Sequence, residues 1–161
     1  MSLDSPSPMA QQGAGFRFGI VAACFNPVLV DGLLARATEV LLAAGVRVGD
    51  LTIVRVPGSH EVPWAAQQLA AQKTCDGVLA LGVLIGGDTN HHEMVGHSVS
   101  HALQQVALTT GKPVINGVIV ADTLAQARAR CVGKINRGAE FAHAALATAA
   151  LGRTFRRSKR P

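Results

Sequence analysis

The sequence predicts an α/β protein in which a four-stranded parallel sheet is covered by helices on both faces. Three observations carry this expectation. Short, nearly continuous apolar runs recur four times, as strands buried on both faces require. Each run leads into a segment of helical length whose apolar residues repeat at spacings of three and four. The 161 residues suffice for a single core, and 48% are hydrophobic while only 16% are charged, against about 25% charged in an ordinary soluble domain. Disorder as the general state is therefore excluded, and part of the surface is expected to be covered by another copy of the chain.

The elements follow in order. Residues 1–15, rich in Ser, Pro, Gln and Gly, hold little to bury and are expected to form a flexible arm. Residues 17–25 read as the first strand. Residues 27–44 then read as a helix with Leu29, Leu33, Ala37, Val40, Leu41 and Ala44 on one face, stopped by Gly45. Further strands are expected at 51–56, 77–85 and 114–120, and further helices at 61–72, 91–109 and 123–130. In the helix over 91–109, Val95, Val99, Ala102, Leu103 and Val106 make the inward stripe, and Gly111 with Pro113 ends it. The last helix, 138–151, carries a single acid and no Lys or Arg, so it has no evident wet face, and a second copy is the expected cover of its outer side. A single domain over 16–152, followed by a basic tail over 153–161, completes the organisation.

The net charge of +5 does not mark a nucleic-acid-binding body. Arg153, Arg156, Arg157, Lys159 and Arg160 all follow Gly152, and without them ten cations face ten acids. Cys24, Cys75 and Cys131 are odd in number and widely spaced, which argues against a disulfide framework and for a reducing cytoplasm. Cys24 and Cys75 adjoin strand-like runs, where a thiol packs as a small apolar group. The first eight residues hold an acid and two prolines where a secretory leader needs a basic start and an apolar stretch, and no apolar run reaches the roughly 18 residues of a membrane span.

In an open parallel sheet, ligands bind beyond the carboxyl ends of the strands, where loops enter helix N-termini. Three loops qualify: Phe25, Asn26 and Pro27 after the first strand, 57–61 after the second and 86–91 after the third. In the third, Gly86 and Gly87 permit close backbone approach and the helix start favours an anion, although a plain turn capped by Asp88 or Thr89 fits the same residues. It is neither a P-loop nor a dinucleotide fingerprint. Of six histidines, His91, His92, His97 and His101 lie within eleven residues, and His97 with His101 has the spacing of two ligands to one metal. The HSVSH segment lacks the Glu of HExxH and has no Cys nearby, so helix-face histidines without a metal are expected. His91 differs by standing beside the anion pocket, where an imidazole suits proton transfer. Gly58, Ser59, His60 and Glu61 name hydrolase residue types without the GxSxG elbow, and are read as a polar pocket wall. Arg128, Arg130, Lys134 and Arg137 form a basic cluster that suits either solvent or a phosphate.

Taken together and in order, these loops resemble the 6,7-dimethyl-8-ribityllumazine synthase family. The resemblance rests on GIVAACFN (19–26), VRVPGSHEVPWAAQQLA (54–70), DGVLALGVLIGGDTNHHEMV (76–95), GKPVINGVIVADTLAQARAR (111–130) and NRGAEFAHAAL (136–146). It implies a three-layer α/β/α, flavodoxin-like fold and a transferase of riboflavin biosynthesis. Such an enzyme condenses 5-amino-6-(D-ribitylamino)uracil with 3,4-dihydroxy-2-butanone 4-phosphate, releasing phosphate and water. By position, the resemblance implies that Phe25 stacks on the pyrimidinedione, with Ser59, His60 and Glu61 lining the ribityl and ring side. Val83, Leu84 and Ile85 would supply backbone contacts to the heterocycle, and Asn116 would come from an adjacent subunit. Asp88, Thr89, Arg130 and Arg137 would serve the phosphate, and His91 would transfer protons. No cofactor is implied. The family forms homopentamers and 60-subunit icosahedral shells.

The sequence departs from the family pattern at several places. The family usually has Arg at the position of Gly86, an aromatic at His92, often Arg at Cys24, Lys at Arg137, and often Phe at Asn116. A rival reading is a weakly catalytic, flavin-binding or shell-forming paralogue whose basic tails bind a polyanion.

Overall fold

The computed structural model describes residues 12–135 and 137–157. Strands β1 (Phe18–Ala23), β2 (Leu51–Val56), β3 (Gly77–Ile85) and β4 (Val114–Ala121) form one parallel sheet in the order β2-β1-β3-β4. Helices α1 (Pro27–Ala43), α2 (Val62–Ala70), α3 (His91–Thr110), α4 (Leu124–Cys131) and α5 (Arg137–Arg157) connect and flank it. The expected three-layer α/β/α, flavodoxin-like fold is what the chain adopts.

The two cores follow from the two-residue period of the strands. Ile20, Leu79 and Leu81 face a cluster closed by Leu33 and Leu41 of α1, Ala127 and Cys131 of α4, and Leu146 of α5. Val21, Val78 and Ala80 face the opposite cluster, closed by Val62 and Leu69 of α2 and by Val95, Val99 and Leu103 of α3. The central strands β1 and β3, covered on both sides, are buried along nearly their whole length and appear in the sequence as continuous apolar runs, whereas the edge strands β2 and β4 are partly exposed and carry Thr52, Arg55 and Asn116. Gly45, at φ 95°, ends α1 and Gly111, at φ 64°, ends α3, both in the left-handed region where a side chain is strained.

Three features differ from expectation. Gly13 to Gly15 are not part of a free arm: the Gly13 N–H donates to the Ala44 carbonyl at 2.6 Å, and Arg153 donates to the Gly15 carbonyl. The arm's residues 1–11 lie outside the described residues. Helix α5 does not stop near Leu151 but runs to Arg157. Its last turns are held because Arg153 stacks 3.6 Å over the Phe16 ring and, with Arg156, pairs with Asp76. Three of the five expected tail cations are therefore helical, and 158–161 lie outside the described residues. Between 137 and 150 every residue of α5 is buried or half-buried within its own chain, while Leu151 and Phe155 on its last turns are exposed. Among the cysteines, Cys24 is exposed rather than packed, Cys75 is buried and donates to the Gly77 carbonyl at 3.2 Å, and burial pushes the Cys131 thiol up to about 11.

Asp50 is one of two buried polar residues among those described, its side chain 4% exposed. The Arg47 guanidinium, 2.7 Å away, holds its carboxyl below the usual range against the opposing effect of burial, and Arg17 at 3.2 Å adds to this. Because the folded-state value is depressed, the contribution to stability is present above the unfolded value of about 3.9 and is lost as pH falls through the folded one. Chemical denaturation between about pH 6 and pH 2 therefore shows an acid limb that Asp50→Asn flattens. An unchanged limb would place the acid sensitivity elsewhere.

Candidate active site

In the order β2-β1-β3-β4 the direction in which successive parallel strands are added reverses between β1 and β3, and a crevice opens at the carboxyl ends where their loops diverge. Each loop has a local cause. After β1, Asn26 adopts φ 56° and ψ 54° immediately before Pro27 starts α1. Its Nδ2 donates to the Val83 carbonyl at 2.9 Å, fixing the turn against β3 and leaving the preceding Phe25 ring 70% exposed. After β2, residues Ser59–Glu61 form one 3₁₀ turn, and the Glu61 Oε2 accepts from the Gly58 N–H at 2.9 Å. Ser59 is buried there, and its Oγ has no hydrogen-bond partner. After β3, Gly86 continues the ladder by donating to the Ala121 carbonyl at 2.8 Å, while a Cβ on Gly87 would meet open space. Neither Asp88 nor Thr89 caps α3, whose start carries no side-chain cap.

The cavity between these loops measures about 480 Å³, within the range of small-molecule sites. It brings together nine of the residues singled out in the sequence: Phe25, Ser59, His60, Glu61, Val83, Leu84, Ile85, Thr89 and His91. Glu61 and His60 stand together, with His60 Nδ1 3.9 Å from Glu61 Oε1. His91 is exposed on the first turn of α3. Asn26, Gly58 and Gly87 of the three expected loops also line the cavity, as do His92 and Val95, which the sequence does not mark as site residues. Asn26 carried a signal in its place before a helix-starting Pro, and Gly58 and Gly87 in their loops. His92 and Val95 carried none beyond their helix.

Four expected residues do not line this cavity within one chain. Asp88 is exposed in the same loop. Asn116 lies on β4 opposite Ala80, three residues before Val83, and is exposed with its Oδ1 accepting from the Val118 N–H at 3.1 Å. Arg130 donates to the Gln126 carbonyl of its own helix at 3.0 Å, and Arg137 pairs with Glu140. The lining consequently contains no Lys or Arg among the described residues. A second cavity, of about 180 Å³, lies at the amino edge between Arg17, Asp50, Leu69 and Cys75. It is small for a metabolite and lies at the end of the sheet where parallel strands do not place ligands.

A parallel α/β layer with a glycine-rimmed cavity at its switch point, an exposed aromatic platform and a histidine at a helix start defines a small-molecule enzyme of the doubly wound class. The sequence makes the assignment narrower. Residues 15–153 match the family model described as 6,7-dimethyl-8-ribityllumazine synthase, and the chain belongs to that family. It is similar to the 6,7-dimethyl-8-ribityllumazine synthase of Aquifex aeolicus (strain VF5), with 46% identity over 88% of this chain and 93% of that one. Proteins of the same name are 40% identical in Thermococcus gammatolerans, over 88% of this chain and 90% of the relative, and 41% identical in Desulfotalea psychrophila, over 85% and 89%.

Proposed function

We propose that the chain is a 6,7-dimethyl-8-ribityllumazine synthase, condensing 5-amino-6-(D-ribitylamino)uracil with 3,4-dihydroxy-2-butanone 4-phosphate and releasing phosphate and water. The observation that carries this reading is the convergence of Phe25, Glu61 and His91, from three loops far apart in sequence, on one cavity. The exposed Phe25 ring offers a face for the pyrimidinedione, and the carbonyls and N–H groups at the end of β3 offer its polar edge hydrogen bonds. The uncapped start of α3 and the bare backbone of Gly87 suit a phosphate near Asp88 and Thr89. His91 takes and returns protons as the amine adds to the ketone carbonyl and water leaves. Two reactive substrates need mainly orientation, and no cofactor is required.

The missing cation at the phosphate supports assembly into a homo-oligomer. Arg130 and Asn116 lie outside the cavity of their own chain, and we assign them to the cavity of a neighbouring copy in a pentamer or a 60-subunit shell. Exposed Trp64, Met94 and Leu108 support a covered surface. Light scattering of the purified protein separates monomer, pentamer and shell. Among the described residues no helix is long and apolar enough to cross a membrane, and three free cysteines suit the cytoplasm.

The paralogue with polyanion-binding tails is not favoured, because Arg153 and Arg156 are engaged by Asp76 and the relatives are named as synthases. Mixing both substrates with the protein and following lumazine absorbance and fluorescence tests the function. Folded protein that yields no product overturns it. Phe25→Ala is expected to raise KM for the pyrimidine substrate about tenfold, the scale of one lost stacking contact of 1–1.5 kcal/mol, without lowering thermal stability. A fall in Tm with unchanged KM would make Phe25 structural.

A further inference from the structure

His92, Glu93 and Asp122 bring an imidazole nitrogen and two carboxylates together, their donor atoms all within 4.8 Å of one another. The set joins the first turn of α3 to the turn after β4, with Asp122 thirty residues beyond His92 in sequence. His92 is the unusual member. Its side chain is 12% exposed, and both ring nitrogens are shut from solvent without a hydrogen-bond partner. A buried imidazole left without partners is costly, so an atom to which it can bond is expected at that position.

The spacing says what kind of atom. His92 Nε2 and Asp122 Oδ1 are 4.0 Å apart, too far for a hydrogen bond. A tetrahedral transition-metal ion at about 2.1 Å from each donor holds two donors about 3.4 Å apart, so a shift of less than about 1 Å by the exposed Asp122 side chain, and a comparable one by the exposed Glu93, closes the site around one ion. The backbone builds the gap. A Cβ on Gly86 would lie 2.6 Å from the Asp122 carbonyl oxygen, so glycine at this position lets the turn after β4 pass close over the end of β3 toward α3. Gln126 steadies that turn, its Oε1 accepting from the Asp122 N–H at 2.9 Å. Two carboxylates outweigh the partial positive charge of the helix start, which would otherwise repel a cation.

We propose that His92, Glu93 and Asp122 bind a divalent transition cation of the zinc or cobalt class at the rim of the cavity. One imidazole with two carboxylates suits these ions better than magnesium or calcium, which prefer all-oxygen shells. The ion would stand behind the His92 wall and add positive charge beside a cavity that its own chain lines with no Lys or Arg. The site goes beyond the synthase reading and does not depend on it.

The test uses metal-free, full-length protein titrated with Co²⁺, followed by its visible d–d bands, and with Zn²⁺, followed by calorimetry. The expected result is a single equivalent per chain, and a Tm that rises with Zn²⁺. Asp122→Asn, at an exposed side chain, and His92→Phe, which keeps the ring volume, should each weaken binding by at least the roughly 10–100-fold that even outer-shell losses cost. The double variant His97→Ala and His101→Ala, on the exposed face of α3, should bind as the wild type does. No saturable binding would overturn the proposal. So would unchanged affinity in both Asp122→Asn and His92→Phe, or loss of binding in the His97 and His101 double variant.

Discussion

Replacing His91 by Gln lowers kcat about 10²–10⁴-fold, the range that a positioned proton-transfer group supplies. Gln keeps a polar side chain of similar reach but cannot take and return a proton. His91 is exposed at the start of α3, so the substitution should leave the fold intact, with thermal stability unchanged. Because Phe25 and the end of β3 are untouched, the KM of the pyrimidine substrate should stay within about threefold, which separates loss of chemistry from loss of binding. Steady-state kinetics with both substrates checks this. A variant that keeps wild-type kcat would move proton transfer to another group, and the lining offers His60 and Glu61 as the next candidates.

Leu79→Ala is expected to cost about 2–5 kcal/mol, the range for deleting a fully buried Leu from a core that cannot collapse around the gap. Leu79 is 0% exposed at the centre of the sheet, paired with Ile20 on β1 and Ile115 on β4. Strands on both sides and α1 and α5 above it surround the side chain with neighbours that are themselves fully buried. The loss should appear as a lower urea midpoint with an unchanged slope, at matched protein concentration because any assembly shifts the apparent stability. A cost below about 1 kcal/mol would mean that this core relaxes, contrary to the packing described.

The central strands are legible because β1 and β3 are covered on both faces and so read as continuous apolar runs. Residues 51–56 and 77–85 are expected as strands, and the structure has β2 and β3 at those bounds, although β2 lies at the sheet edge and is mostly exposed. Gly45 and Gly111 ended their helices where expected, since local backbone geometry decides such stops. The last helix, expected to end at Leu151, instead runs on to Arg157, because α5 is carried onward by Arg153 and Arg156 reaching Asp76, about eighty residues away in sequence. Tertiary contact overrode a local signal, and no window of sequence contains it.

The site was legible for a different reason. The carboxyl-edge rule selects three loops without any knowledge of their chemistry, and those loops do enclose the larger cavity. What the rule cannot supply is which helix faces are dry. His92 was read with the other histidines as solvated, yet the turn carrying Asp122 covers it, and that turn can come so close because residue 86 has no side chain. Arg130 and Asn116 were expected at the pocket from resemblance. Within one chain the first is directed to its own helix and the second bonds within its edge strand, so neither reaches the cavity of that chain.

The central claim is that three loops form one substrate cavity at the carboxyl edge of the sheet. A crystal structure with a ribityl pyrimidinedione analogue and inorganic phosphate tests it most directly. The ring is expected against Phe25, the ribityl chain beside Ser59 to Glu61, and the phosphate at Gly87 to Thr89 within reach of His91. Ligand density at the amino-edge cavity between Arg17 and Cys75, or a ring that leaves Phe25 and His91 in open solvent, would contradict it.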